Sequence, residues 1–212
     1  LSLLRMVHVS NLQLHAGSWH RYFGRRLSEM TVGIIGVGRI GKGVLRHLSG
    51  FNCNRVMLND ITINNDIDYG VDFEWHDKET IYQEADIISL HLPLTSLTKN
   101  LIRKEQMDMM KSDAILINTA RGGIVNEDDL YQVMQSNRFS GAAIDAFVDE
   151  PYYGKLRNIE RCILTAHMGS MSIDCRTKME IEATEEAVRF ITGKDLQGLV
   201  PIEEYDVQRQ GL

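Results

Sequence analysis

Thr31-Val32-Gly33-Ile34-Ile35-Gly36-Val37-Gly38-Arg39-Ile40-Gly41 places G-x-G-x-x-G directly behind a β-rich apolar run and at the start of a helical pattern. Each glycine answers a separate need. Gly36 permits the tight turn. Gly38 lets the backbone approach a pyrophosphate, whose charge a helix N-terminus stabilises. Gly41 allows the helix to pack closely on the sheet. Context adds weight to the motif: Asp60 follows nineteen residues after Gly41, at the end of the next apolar run. A carboxylate at that spacing suits the hydroxyls of a ribose. It would repel a 2′-phosphate, and Ile61-Thr62-Ile63-Asn64 brings no Arg or Lys to offset it, so NAD is expected over NADP.

Outward from this unit, short apolar runs alternate with helical patterns. The runs are Thr31–Ile35, Arg55–Leu58, Asp86–His91, Ala114–Asn118, Gly141–Asp145 and Cys162–Thr165. The helical patterns are Ile40–Leu48, Lys78–Glu84, Glu127–Met134 and Ile173–Ile191. Continuously apolar strands separated by helices predict an α/β fold of Rossmann type: a doubly wound parallel sheet in a three-layer α/β/α sandwich. Ligands of such sheets sit beyond the carboxyl ends of the strands. Asp60, His91, Asn118, Asp145 and His167 fall there.

Three strand ends carry chemistry. Asn118-Thr119-Ala120-Arg121-Gly122-Gly123 can hold a guanidinium over a cleft, where it would bind a carboxylate through two charge-assisted hydrogen bonds. Leu164-Thr165-Ala166-His167-Met168-Gly169 brings a histidine out of a buried strand, the residue type suited to proton transfer near neutrality. Asp145-Ala146-Phe147-Val148-Asp149-Glu150-Pro151 supplies Glu150, a carboxylate that could fix the imidazole tautomer and keep its acid form available.

These blocks, together with Ala85–Thr95 and Thr98–Ile102, resemble the cofactor-binding domain of the D-isomer-specific 2-hydroxyacid dehydrogenases over nearly all of Trp19–Gly193. The resemblance implies that Arg121 binds the substrate carboxylate and keto oxygen, and that His167 is the acid/base with Glu150 as partner. It implies that Gly36, Gly38, Arg39, Ile40 and Gly41 meet the pyrophosphate and Asp60 the adenosine ribose. Leu92, Pro93 and Thr98 would line the groove. Thr119, Ala120 and Arg121 would lie by the nicotinamide ribose, Asp145 would hold the carboxamide, and His167 and Gly169 would complete the nicotinamide site. The wording from His167-Met168-Gly169-Ser170 to Arg176 and Met179-Glu180 is similar to the phosphoglycerate-dehydrogenase-like branch. Ala166 departs from the family, which usually has Pro before the histidine.

The resemblance also organises the chain. Residues 1–25 are expected to form an interdomain and dimerisation arm, with Leu3, Leu4, Val7, Leu12 and Leu14 exposed. Residues 26–193 are the NAD-binding domain, and 194–212 a tail returning towards a substrate domain. The start at Leu1 instead of Met reads as a piece of a longer protein, and the piece by itself is expected to be poorly active. The expected partners are a small 2-hydroxy or 2-keto acid and a second copy of the chain.

Composition closes off other classes. The chain has 212 residues, 43% hydrophobic and 25% charged, with a net charge of −6. No apolar run approaches the roughly 18 residues of a membrane span, and the acidic balance disfavours nucleic acid. Cys53, Cys162 and Cys175 are odd in number with no CxxC pair, which suits reduced thiols and a cytoplasmic protein. His8, His15, His20, His47 and His76 lack metal-ligand spacing, so no metal is expected. Trp19 and Trp75 are expected to pack against the sheet layer. A rival reading is an NAD(H)-sensing, corepressor-like binding module with little turnover, since such relatives keep the same triad.

Overall fold

The computed structural model describes residues 1–64 and 68–199. Seven strands form one wholly parallel sheet in the order β3-β2-β1-β4-β5-β6-β7. In chain order these are β1 (Thr31–Ile35), β2 (Arg55–Asn59), β3 (Glu74–Trp75), β4 (Ile87–Leu90), β5 (Ile115–Asn118), β6 (Gly141–Ile144) and β7 (Cys162–Leu164). The helices are α1 (Val7–His15), α2 (Arg39–Leu48), α3 (Lys78–Glu84), α4 (Lys104–Met109), α5 (Glu127–Gln135) and α6 (Ile173–Ile191). The chain therefore switches direction across the sheet between β1 and β4, and their carboxyl ends bound the crevice where ligands of this fold sit.

Alternation along each strand divides the core in two. Ile35, Met57, Ile88, Leu116 and Ile144 face Ile81 and Tyr82 of α3, Met107 of α4 and Leu130 and Val133 of α5. Val32, Ile34, Val56, Leu58 and Ile115 face Leu45 and Leu48 of α2, with Leu3 and Leu4. Every one of these side chains is buried, as expected of a sheet covered on both faces.

Leu3 and Leu4 correct the expectation of an exposed arm: they are 8% and 7% exposed. For Leu3 the reason is a close approach to β6. Gly141 lacks a Cβ, and a Cβ there would lie 2.8 Å from Leu3 Cδ2, so the glycine makes the socket that receives Leu3. Val7, Leu12 and Leu14 remain exposed on α1. Trp19 is 76% exposed and packs on nothing in the sheet layer, whereas Trp75 is half-buried beside Phe73 at the β3 edge. Helix α6 has no buried residue along its 19 positions and leaves Ile181, Val188, Phe190 and Ile191 exposed. Of the expected tail, Val200–Leu212 lies outside the described residues.

At the opposite, amino end of the sheet Asp86 fastens β1 to β4. Its carboxylate accepts the Thr31 N–H at 2.7 Å and Lys111 Nζ at 2.9 Å, with Arg25 3.7 Å away. Among the described residues no helix is long and apolar enough to cross a membrane, and no group of three metal-ligating side chains assembles.

Candidate active site and cofactor groove

The three glycines of the β1–α2 turn do three different things. Gly36 has φ +96°, and a Cβ on it would overlap the carbonyl oxygen of His91 and press on Leu92. Its N–H donates to Asn59 O at 2.9 Å, so the turn is sewn to the end of β2. A Cβ on Gly41 would collide with the carbonyl oxygen of Gly36, so only glycine lets α2 start this close to the turn. Around Gly38, the N-cap of α2, nothing lies within 4 Å of where a Cβ would stand. That open space above the helix N-terminus fits a pyrophosphate, and the glycine keeps it clear.

Asp60 ties this turn to its own strand end. Oδ2 accepts the Val37 N–H at 2.5 Å and Oδ1 the Thr62 N–H at 3.1 Å. The carboxylate thus sits beside the Gly-rich turn, with Ile61 and Ile63 exposed next to it. Arg39 and Ile40 are exposed on the first turn of α2. The opposite wall is Leu92–Thr98. Thr98 Oγ1 donates to Pro93 O at 2.6 Å and accepts the Thr95 N–H at 2.8 Å, which closes the loop on itself. His91 is half-buried, pairs with Ser89 Oγ at 2.9 Å, and has its pKa held down by burial. Its main-chain N–H donates to Ile35 O at 2.8 Å, which ties the end of β4 to β1.

Arg121 is displayed by Asn118. This 1%-exposed side chain donates from Nδ2 to Arg121 O at 2.9 Å and accepts the Ala120 N–H on Oδ1 at 3.2 Å. The turn Thr119-Ala120-Arg121 is thereby shaped from inside, while the Arg121 guanidinium stays exposed and donates to Ala120 O at 2.7 Å. Gly122 follows because a Cβ there would overlap the carbonyl of Phe147, the residue opening the Glu150 turn.

His167 stands just past β7 with φ +51°, a left-handed conformation that costs a non-glycine residue energy and persists where its surroundings impose it. Asp145 imposes it. Its main-chain oxygen accepts the His167 N–H at 2.9 Å. Its buried carboxylate accepts Thr165 Oγ1 at 2.5 Å, the Met168 N–H at 2.9 Å and the Gly169 N–H at 3.2 Å. Burial alone would raise the Asp145 pKa, but these donors and the nearby His167 leave it below the usual aspartate range. Asp145 is therefore an anionic clamp on the histidine loop, and Gly169 is one of the points it holds.

The histidine ring meets Glu150, with Nδ1 3.0 Å from Oε2. The other Glu150 oxygen accepts the Phe147 N–H at 3.0 Å. That amide first, and then the imidazole, hold Glu150 below the ordinary glutamate range, so it is an anion. An anionic acceptor at Nδ1 fixes the proton there and leaves Nε2 to face a reacting group. A cavity of about 630 Å³ lined by Phe147, Glu150, Tyr152, Arg157, Leu164 and His167 opens beside the pair.

The structure thus groups Gly36, Gly38, Gly41 and Asp60 at one strand end and Asp145, Glu150, His167 and Gly169 at another. The Arg121 turn is packed against the Glu150 turn through Gly122. Sequence reasoning gave Asn118 no task beyond its strand-end position. It read Gly122 only as a glycine beside Arg121 and gave Thr165 no task, since the contacts of both are made between strand ends.

The chain is similar to known proteins along almost its whole length. Residues 1–169 match the model of the D-isomer specific 2-hydroxyacid dehydrogenase, NAD binding domain. The chain belongs to that family. It is 31% identical over 210 residues to the glyoxylate reductase of Pyrococcus horikoshii, covering 98% of the chain and 63% of the relative. With the hydroxypyruvate reductase of Thermotoga maritima it shares 30% identity over 192 residues, covering 88% and 61%. Among solved structures, D-lactate dehydrogenase with NAD+ from Lactobacillus jensenii superposes with a TM-score of 0.83 at 26% identity, covering 94% of this chain and 65% of that one. The chain therefore spans somewhat less than two thirds of these relatives. The domain is an NAD-binding domain of Rossmann type.

Proposed function

We propose that the protein carrying this domain is an NAD-dependent oxidoreductase that interconverts a D-2-hydroxy acid and its 2-keto acid. The observation that supports this most is the abutment of the Arg121 turn on the turn carrying Glu150, which pairs with His167, at the strand ends that also hold the Gly-rich groove. NAD, when bound, would supply or accept the hydride at C2. In the reducing direction Arg121 orients the acid through its carboxylate and polarises the keto oxygen. His167 Nε2 gives that oxygen a proton as the hydride reaches C2, and the Glu150 anion stabilises the imidazolium that precedes the transfer. In the oxidising direction Nε2 takes the hydroxyl proton. Thr119 and Ala120 would flank the nicotinamide ribose, Asp145 would hold the carboxamide, and Leu92, Pro93 and Thr98 would line the groove. Arg39 and Ile40 would cover the pyrophosphate, and Asp60 would take the adenosine ribose and favour NAD over NADP.

For the substrate we take a short 2-keto acid of the glyoxylate or hydroxypyruvate class. The names of the relatives support this choice over the phosphoglycerate-dehydrogenase-like reading of the residues after His167. The exposed apolar residues of α1 and α6, with Trp19 and Phe23, suit contacts with a substrate domain and with a second copy in a homodimer. A cytoplasmic setting suits the three free cysteines.

The test is NADH oxidation by the full-length protein on glyoxylate, hydroxypyruvate, pyruvate and 3-phosphohydroxypyruvate. Turnover on one or more of these supports an enzyme. Tight NADH binding with turnover on none of them would instead support the corepressor-like reading.

A further inference from the structure

Glu127 opens α5 beside the turn that carries Glu150. Its Oε1 accepts the Val148 N–H at 2.8 Å, while the adjacent Phe147 N–H donates to Glu150 at 3.0 Å. Two successive amides are thus taken by two carboxylates, one from α5 and one from the turn itself. The same peptide is backed by Gly122, where a Cβ would strike Phe147 O. Further along, Lys155 reaches Asp128, the next residue of α5, at 2.9 Å. The start of α5 therefore grips the loop at both ends, and Gly122 limits its movement from the Arg121 side.

Val148 is 64% exposed, so packing of its side chain does little to fix the turn, which leaves the Glu127 bond and the Gly122 approach to do so. The bond also keeps Glu127 in an unfavourable place. Burial, and then the charges of Asp149 and Asp128, push its pKa above the usual glutamate range despite the Val148 amide. What the bond supplies that water cannot is direction. Glu150 lies two residues beyond Val148, and a rotation of the Val148 peptide would swing Glu150 away from the imidazole.

We propose that Glu127 is a positioning residue, which holds the Val148 amide so that Glu150 Oε2 stays 3.0 Å from His167 Nδ1. The proposal rests on the reading of His167 and Glu150 as the acid/base pair, and it extends the site to a helix that touches neither substrate nor cofactor.

The test is the titration of the His167 ring protons by NMR in the whole chain, with their assignment taken from His167→Gln. Glu150→Gln, which removes the anion 3.0 Å from Nδ1, should displace the His167 midpoint downward. Glu127→Ala should lower it by at least about half as much, and should add nothing in the Glu150→Gln background, because both act through one contact. Glu127→Gln, which keeps a carbonyl oxygen for the Val148 amide, should leave it at the wild-type position. Thermal melts report whether each variant is folded. A Glu127→Ala midpoint equal to wild type, with Glu150→Gln displaced, overturns the positioning role. So do equal displacements in Glu127→Ala and Glu127→Gln, which would mean that charge and not geometry acts. A Glu150→Gln midpoint equal to wild type removes the pair itself, and the positioning role with it. Because the readout needs no turnover, inactivity on every keto acid would strike the proposed reaction and leave this result standing.

Discussion

Replacing Asp86 by Ala should destabilise the domain by about 2–4 kcal/mol at pH 7, with a pH dependence of fixed sign. The Asp86 side chain is only 10% exposed and accepts the first amide of β1 at 2.7 Å. A hydrogen bond to a charged, buried acceptor is worth about 1.5–3 kcal/mol. The Lys111 pair at 2.9 Å is 37% exposed on the lysine side and adds only about 0.2–1 kcal/mol. For a domain of this size that loss lowers Tm by roughly 4–16 °C. Burial opposes the Asp86 charge most strongly, yet the Thr31 amide, Lys111 and Arg25 outweigh it and depress the carboxyl below the ordinary aspartate value. A depressed folded-state pKa contributes stability that is fully present above about pH 4 and is lost as pH falls through the folded value. Urea unfolding of wild type and Asp86→Ala at several pH values reads both quantities. The gap should be constant from pH 7 to about pH 5 and shrink below about pH 4. A gap under about 0.5 kcal/mol at pH 7, or one that widens on acidification, would refute the reasoning.

Other perturbations address the site. Gly41→Ala drives a Cβ into the Gly36 carbonyl and so displaces α2 from the turn; NADH affinity by fluorescence titration should fall at least about tenfold, or about 1.4 kcal/mol. Asp60→Ala should weaken NADH more than NADPH, and an unchanged ratio of the two dissociation constants would remove Asp60 from cofactor selection. Glu150→Gln keeps an acceptor for the Phe147 amide but loses the anion, so kcat should drop by about 100-fold with KM for NADH little changed. Since the Phe147 amide and His167 depress Glu150, its own ionisation should leave no inflection in the rate profile above about pH 5.

The parallel sheet was legible because six of its strands are apolar runs followed by glycine or polar strand ends. The Gly-rich turn was legible because its three glycines each answer a different steric demand. Strand β3 was not, since it is a two-residue edge paired only to β2, too short to show a pattern of its own. Helix α4 escaped because six residues are too few to show a period. The burial of Leu3 was hidden for a different reason: its socket is made by Gly141, far away in sequence. The same limit applied within the site. Arg121, Glu150 and His167 were readable from their strand ends, but Asn118, Gly122, Thr165 and Glu127 act through hydrogen bonds and close approaches between neighbouring strand ends and the start of α5.

The most direct test of the account is His167→Gln in the full-length protein, measured for both turnover and NADH binding. If His167 moves the proton, reduction of any 2-keto acid accepted by the wild type should fall by about 10²–10⁴-fold while the NADH dissociation constant stays within about twofold. Turnover near the wild-type rate in a protein that still binds NADH would contradict it.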